Sequence, residues 1–409
     1  MKWKVRKSVL SGTIEVPASK SHTIRAILIA SLAEGESVIK KPLLTGDGYS
    51  ALNAAKALGA KVEEREDGLH IWGVAGKPKL AEYCDMGNSG TGLNMFSAAA
   101  ALGDTPIRFD GDASLRSRPV GSLLAALEKL GAKVEYHGEK GIIPIGRPPF
   151  TICGKINGGS VEIDGNNSQY LSSLLLVSPL LGNPNKISLK SLFERPYVEM
   201  TLRWLDKMDV KYSADFEKLE FCVEGNQKYS PVNETITGDF SSATFSAVGR
   251  AITGGNVDIR NLDFSDTQGD KGVFELIEKN LYEIDLNSMP DALPALSVWA
   301  TKRELPTKIF NVAQARIKET DRIKVMSEEL TKMAAKIEEK PDGMLIFPSK
   351  LNGAELSGHH DHRIVMALAL AGMIAEGETI IDTAEAAAIT YPSFVEDFRK
   401  LGANIEVID

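Results

Sequence analysis

Ser19-Lys20-Ser21-His22-Thr23-Ile24-Arg25 packs three hydroxyls and two cations into seven residues, between a short alternating run (Thr13-Ile14-Glu15-Val16) and an apolar stretch, residues 26–33, closed by Gly35. That pattern predicts a strand, a turn and a buried helix. Free backbone N–H groups at the helix start, with Lys20 and Arg25 one or two turns inside, make this end electropositive and suited to an anion.

Five further stretches open on small or polar residues and continue as apolar helices: residues 88–103, 167–182, 241–255, 291–302 and 362–377. Six starts at intervals of roughly 50 to 80 residues mark an internal repeat. The informative residues are those that a repeat does not need. Gly87 and Gly90 flank Asn88 and let a backbone approach a ligand, Asn167-Ser168-Gln169 offers three hydrogen-bonding side chains, and Asp239 with Ser241, Asp291, and Asp361-His362-Arg363 open the last three helices. An ordinary N-cap accounts for Asn88 or Ser241 taken alone. Arg118, in Arg116-Ser117-Arg118-Pro119, is expected at the start of an amphipathic helix, and Arg322 and Arg363 at helix starts of their own. A cation is unfavourable there, so each requires a carboxylate, a phosphate or a ligand. Lys318-Glu319-Thr320-Asp321-Arg322 is the densest charge cluster, for which a solvated helix start with a Glu319–Arg322 pair is the plain alternative.

The run His359-His360-Asp361-His362 invites a metal, yet neighbouring histidines point to different sides and no second ligand cluster accompanies them, so no metal is expected. Cys84, Cys153 and Cys222 share no ligand spacing and are expected as reduced core thiols. Cations, hydroxyl donors and two or three carboxylates together describe a cleft that binds small polyanions and moves protons between them.

A second family of helices, amphipathic and each followed by a strand, must position these groups. It is seen at residues 54–63, 126–135 and 398–406, with weaker versions ending at Met208, Leu281 and Met333. The apolar helices must be buried, whereas the amphipathic ones can face solvent. Each unit then reads as strand, apolar helix, strand, amphipathic helix and one or two strands. The 409 residues exceed one ordinary core. Two globules of three units each, divided near Thr237-Gly238-Asp239, satisfy domain size. Net charge −8 argues against a nucleic-acid partner, including a ring around DNA. No uninterrupted apolar run reaches the ~18 residues of a membrane span, and the N-terminus has no signal-type core, so a cytoplasmic protein without a membrane partner is expected.

On these motifs the chain resembles the enolpyruvyl transferase family, and within it the 5-enolpyruvylshikimate-3-phosphate synthases, over essentially its full length. The matching residues are Ser19-Lys20-Ser21 with Arg25, Gly87-Asn88-Ser89-Gly90-Thr91, Arg118-Pro119, Ser168-Gln169, Pro196-Tyr197, Gly238-Asp239 with Ser241-Ser242-Ala243, Pro290-Asp291, Lys318-Glu319-Thr320-Asp321-Arg322 and Asp361-His362-Arg363. Their order and spacing, rather than any single motif, carry the resemblance. It implies a two-domain inside-out α/β barrel of six βαβαββ repeats, three per domain, whose helix N-termini converge on an interdomain cleft that closes on binding. The first strand returns to the second globule, so the domains are 1–18 with 238–409, and 19–237.

The implied reaction transfers the carboxyvinyl group of phosphoenolpyruvate to the 5-hydroxyl of shikimate 3-phosphate and releases phosphate through a tetrahedral intermediate. Asp291 would take the hydroxyl proton, with Glu319 and Lys20 as the acid/base pair. Lys20, Asn88, Gly90, Arg118, Gln169, Arg322 and Arg363 would bind phosphoenolpyruvate, the last two through its carboxylate. Lys20, Ser21, Arg25, Asn167, Ser168, Gln169, Tyr197, Asp291, Gln314 and Lys318 would bind shikimate 3-phosphate. No metal or organic cofactor is implied, and the protein is expected as a monomer acting on small molecules alone.

Three positions depart from the family pattern. Ile389 stands where a lysine is usual, Asn94 where an arginine is usual, and Glu194 replaces a serine that helps to hold the shikimate phosphate. A charged hydrogen bond is worth on the order of 1.5–3 kcal/mol, so two missing cations weaken phosphoenolpyruvate binding by roughly two to four decades unless Arg116 or Arg195 substitutes. A raised Michaelis constant and tolerance of phosphonate analogues such as glyphosate are expected. Two alternatives stay open: a non-catalytic paralogue that binds shikimate 3-phosphate, and a UDP-N-acetylglucosamine enolpyruvyl transferase. The latter usually carries a reactive cysteine in the loop equivalent to residues 112–117, which has none here.

Overall fold

Six helices carry apolar or small side chains on nearly every face, and each is buried along most of its length: Lys20–Leu32, Gly90–Ala100, Ser168–Val177, Phe240–Thr253, Leu293–Lys302 and His362–Ile374. The computed structural model describes residues 1–79, 81–138 and 145–408. The chain separates into two compact units, Met1–Pro17 with Thr237–Asp409, and Ala18–Ile236, each with its own hydrophobic core.

Among the described residues of the unit Ala18–Ile236, three four-stranded sheets share one plan. Tyr83–Asp85, Ile107–Asp110, Phe150–Cys153 and Lys133–Tyr136 lie side by side in that order, the first pair parallel and the next two antiparallel. Gly159–Ile163, Asn185–Leu189, Glu220–Val223 and Tyr212–Asp215 repeat it. The third sheet takes its parallel edge strand, Asn233–Thr235, from the far end of the unit, followed by Glu36–Lys40, Gly68–Trp72 and Lys61–Arg65. The amphipathic helices Asp47–Ala57, Gly121–Lys129 and Arg195–Lys207 each lead into a hairpin. Gly59 and Gly131 end the first two at φ 95° and 117°, a backbone region open to glycine but strained for a side chain.

The other unit follows the same plan with two changes. Glu283–Asp285, Thr307–Phe310, Gly343–Phe347 and Lys336–Lys340 reproduce the strand order. In the next sheet the N-terminal strand Lys2–Arg6 takes third place, between Glu378–Ile381 and Asn404–Ile408. Trp3 pins it there, 3% exposed and stacked on Phe394 at 5.4 Å between ring centroids. Asn256–Arg260 pairs only with Ser11–Glu15, so this sheet has two strands among the described residues.

The amphipathic helix expected to end at Leu281 is instead a 3-10 turn, Gly269–Lys271, and one short helix, Gly272–Leu276, with no hairpin after it among the described residues. Asp263, Ser265, Asp266, Gly269 and Gly272 crowd this stretch, and Asp263 and Asp266 bond nearby backbone N–H groups in place of a helix. Asp291 likewise falls in a 3-10 turn, Pro290–Ala292, ahead of Leu293–Lys302.

Candidate functional site

Within Ala18–Ile236 the starts of three buried helices carry most of the expected binding residues. Ser19, Ser89 and Asn167 are the N-caps, accepting from His22, Gly92 and Gln169 backbone N–H groups at 3.4, 3.1 and 3.0 Å. Asn88 is therefore not the cap of its helix. Its amide donates to Asp112 at 2.6 Å and accepts from Arg118. Arg118 follows a short helix, Ala113–Ser117, which the sequence reading did not foresee, and so sits at a helix C-terminal end, where a cation is favoured. A β-carbon on Gly90 would stand 3.0 Å from the Arg118 guanidinium, a contact that asks that side chain to move by a few tenths of an ångström.

Lys20 pairs with Asp47 at 3.1 Å, a carboxylate for which the sequence offered no signal. Gln169 donates to Thr91 at 2.8 Å and accepts from Asn94 at 2.7 Å, while Asn94 also donates to the Gly90 carbonyl at 2.9 Å. Asn94 thus ties two helix starts together. Ser168 donates to Glu194 at 2.7 Å. Arg25 is buried and donates to Thr201 at 2.9 Å, Ser172 at 3.4 Å, and the Ser21 and Tyr197 carbonyls at 3.1 Å each. The two candidate substitute cations are engaged. Asp110 accepts from Arg116 at 2.8 and 2.9 Å, and Arg195 pairs with Glu199 at 2.7 Å and lies over the Phe216 ring.

Within the other unit, acids and guanidiniums interlock. Arg322 donates to Asp291 at 2.8 Å, Glu319 at 2.6 Å and Asp361 at 2.8 and 3.2 Å. The second oxygen of Asp291 receives Arg363 at 3.0 Å. Asp361, the N-cap of His362–Ile374, also accepts from Thr320 at 3.0 Å and the Arg363 N–H at 2.9 Å. Burial works against the charge of each buried group, yet proximity prevails. Asp291, Glu319 and Asp361 raise Arg322, Asp291 raises Arg363, and Arg322 lowers Asp361.

Beside them His362 is buried, neither ring nitrogen has a hydrogen-bond partner among the described residues, and burial pushes its pKa down to about 3. Gln314 is buried and donates to the Asn287 carbonyl at 3.1 Å, and Lys318 closes the 3-10 turn Ala313–Ile317 directly before Glu319. Gln268, missed by the sequence reading because nothing in its surroundings marks it, bridges Asp239 and Ser241 at 2.7 and 3.1 Å. Among the described residues no group of three or more His, Cys, Asp or Glu side chains is placed to hold a metal.

One unit therefore presents hydroxyls, amides and a lysine at helix starts, able to grip anions. The other presents two carboxylates, Asp291 and Glu319, on a shared guanidinium, able to exchange protons beside a bound carboxylate.

The sequence matches the family described as EPSP synthase (3-phosphoshikimate 1-carboxyvinyltransferase) over residues 5–279 and 272–398. A curated 3-phosphoshikimate 1-carboxyvinyltransferase of Acetivibrio thermocellus is 47% identical, with 99% of each chain covered. That of Ruminiclostridium cellulolyticum is 46% identical at the same coverage. An EPSP synthase structure from Acinetobacter baumannii superposes with a TM-score of 0.83 at 25% identity, covering 100% of both chains.

Proposed function

The chain belongs to the EPSP synthase (3-phosphoshikimate 1-carboxyvinyltransferase) family, and on that premise we propose that it transfers the enolpyruvyl group of phosphoenolpyruvate to the 5-hydroxyl of shikimate 3-phosphate, releasing phosphate. The observation that carries the residue-level reading is the double hold on Asp291, one oxygen on Arg322 and the other on Arg363, with Glu319 on the same Arg322. When the pyruvyl carboxylate arrives, it takes guanidinium donors from Asp291 and frees that carboxylate to accept the 5-hydroxyl proton. The substrate oxygen then bonds to C2 of phosphoenolpyruvate as C3 gains a proton from the Glu319–Lys20 pair. Loss of the C3 proton and rupture of the C2–O bond expel phosphate, which Lys20, Arg118 and the Gly90 N–H receive. Asn167, Ser168, Gln169 and Tyr197 hold shikimate 3-phosphate with Ser21, Arg25, Gln314 and Lys318.

In the same proposal the six buried helices and their sheets are six copies of one βαβαββ unit, three per domain, in an inside-out barrel. The strand order common to five sheets supports it. The non-catalytic and UDP-N-acetylglucosamine readings find no such support: the curated relatives carry the synthase name, and residues 112–117 hold no cysteine.

Phosphate release from the two substrates by the purified protein tests the reading, with Asp291→Asn as the inactive control. No release at millimolar phosphoenolpyruvate would overturn it.

A further inference from the structure

We infer that Glu194 is a resident anion of the shikimate-phosphate pocket, a latch on the Ser168 hydroxyl that the substrate phosphate has to displace. The inference rests on the assignment of Ser168 to that phosphate. Glu194 precedes the helix Arg195–Lys207 with φ 54° and ψ 40°, a left-handed conformation open to glycine and, among L residues, adopted mainly by asparagine and aspartate. Its side chain makes no cap bond to that helix. Its carboxylate is instead buried, 3% exposed, and receives the Ser168 hydroxyl at 2.7 Å.

Ser168 is the first residue of Ser168–Val177, a helix end that favours negative charge. Glu194 already supplies that charge. The contact is also held from behind. One turn inside, Arg25 donates to Ser172 on one helix and to Thr201 and the Tyr197 carbonyl on the other, clamping the two elements at fixed spacing. Burial and this clamp set Glu194 apart from a loose surface glutamate.

A phosphate monoester entering the same place meets a carboxylate within a few ångströms, in surroundings that screen it poorly. Either the carboxylate withdraws or the two anions repel, and both outcomes lower affinity. Shikimate without its phosphate makes neither demand. Glu194 therefore sets how strongly this protein prefers the phosphorylated substrate, and it sets that preference lower than a neutral residue would.

The test measures dissociation constants of shikimate 3-phosphate and of shikimate by calorimetry, and Michaelis constants by phosphate release, for wild type, Glu194→Gln, Glu194→Ser, Ser168→Ala and the double variant Ser168→Ala/Glu194→Gln. The expected result is a tightening of about tenfold for shikimate 3-phosphate in both Glu194 variants, the size of one charged contact relieved. Shikimate and phosphoenolpyruvate should shift less than twofold, and the gain should shrink when Ser168 is already alanine, because the latch is then gone and only the repulsion is left to relieve. An unchanged or weakened affinity for shikimate 3-phosphate in a variant that melts like wild type overturns the latch, as does an equal gain for shikimate. Glu194→Asn, which tolerates the left-handed backbone, replaces any variant that fails to fold. Binding is read without turnover, so a tightened but inactive protein refutes the proposed reaction and leaves the latch standing, whereas an active protein indifferent to Glu194→Gln does the reverse.

Discussion

Arg322 donates to both oxygens of Asp361, Nε to Oδ2 at 2.8 Å and Nη2 to Oδ1 at 3.2 Å, and the side chains are 1% and 0% exposed. The pair joins the starts of two helices, Arg322–Lys332 and His362–Ile374. Two buried charges gain little over an apolar pair, but losing Asp361 leaves the buried guanidinium with only the partly exposed Asp291 and Glu319.

Asp361→Ala should therefore cost about 2–4 kcal/mol of stability, since it takes two charged hydrogen bonds from the buried Arg322 and removes the cap of His362–Ile374 together. Urea unfolding measures it. A loss of less than about 1 kcal/mol would show that Asp291 and Glu319 alone satisfy the guanidinium.

Asp291→Asn preserves the shape of the side chain and leaves Arg322 its bonds to Asp361 and Glu319. Turnover should fall by about 10²–10⁴, the usual worth of a positioned base. Shikimate 3-phosphate binding, followed by calorimetry, should persist. A variant within fivefold of wild-type turnover rules Asp291 out as the base.

Ile389 packs against the core of its unit, and Arg116 and Arg195 are already committed to Asp110 and Glu199. No substitute for the usual lysine is visible in either arginine. Ile389→Lys should lower the Michaelis constant for phosphoenolpyruvate by about tenfold or more, and the glyphosate concentration for half inhibition with it. If neither value moves, the altered phosphoenolpyruvate site is not the reason for any tolerance.

Burial holds the His362 imidazole neutral, with its pKa pushed from 6.5 to about 3. Between those values the unfolded chain binds a proton that the folded chain refuses, so stability is full above pH 6.5 and is lost as pH falls, by about 1.4 kcal/mol per pH unit. His362→Gln should flatten this slope between pH 6 and about 4.5 in urea midpoints taken across pH. A slope of unchanged size in the variant assigns the acid lability to other groups.

Apolar periodicity, Gly punctuation and polar helix starts made the buried helices, the hairpins and the anion-binding ends legible, because each depends on neighbours within a turn or two. Even there, local competition shifted details: Ser89 rather than Asn88 takes the cap, and Arg118 ends a short helix instead of beginning a long one. The histidine run shows the same limit. His359 and His360 adopt left-handed backbones, His359 reaches the buried Glu329 at 2.9 Å and His360 bonds Thr383 through its N–H at 3.1 Å, while His362 turns inward.

The chain's own pattern was enough to specify which residues carry charge, which helices must be covered and where anions are welcome. Which donor meets which acceptor was left to folding: Arg25 with Thr201 across 176 positions, Arg322 with Asp361 across 39, Ser168 with Glu194 across 26. Such pairings cannot be read along the sequence, since a carboxylate's partner depends on which helices lie side by side, and burial then sets the strength of each contact.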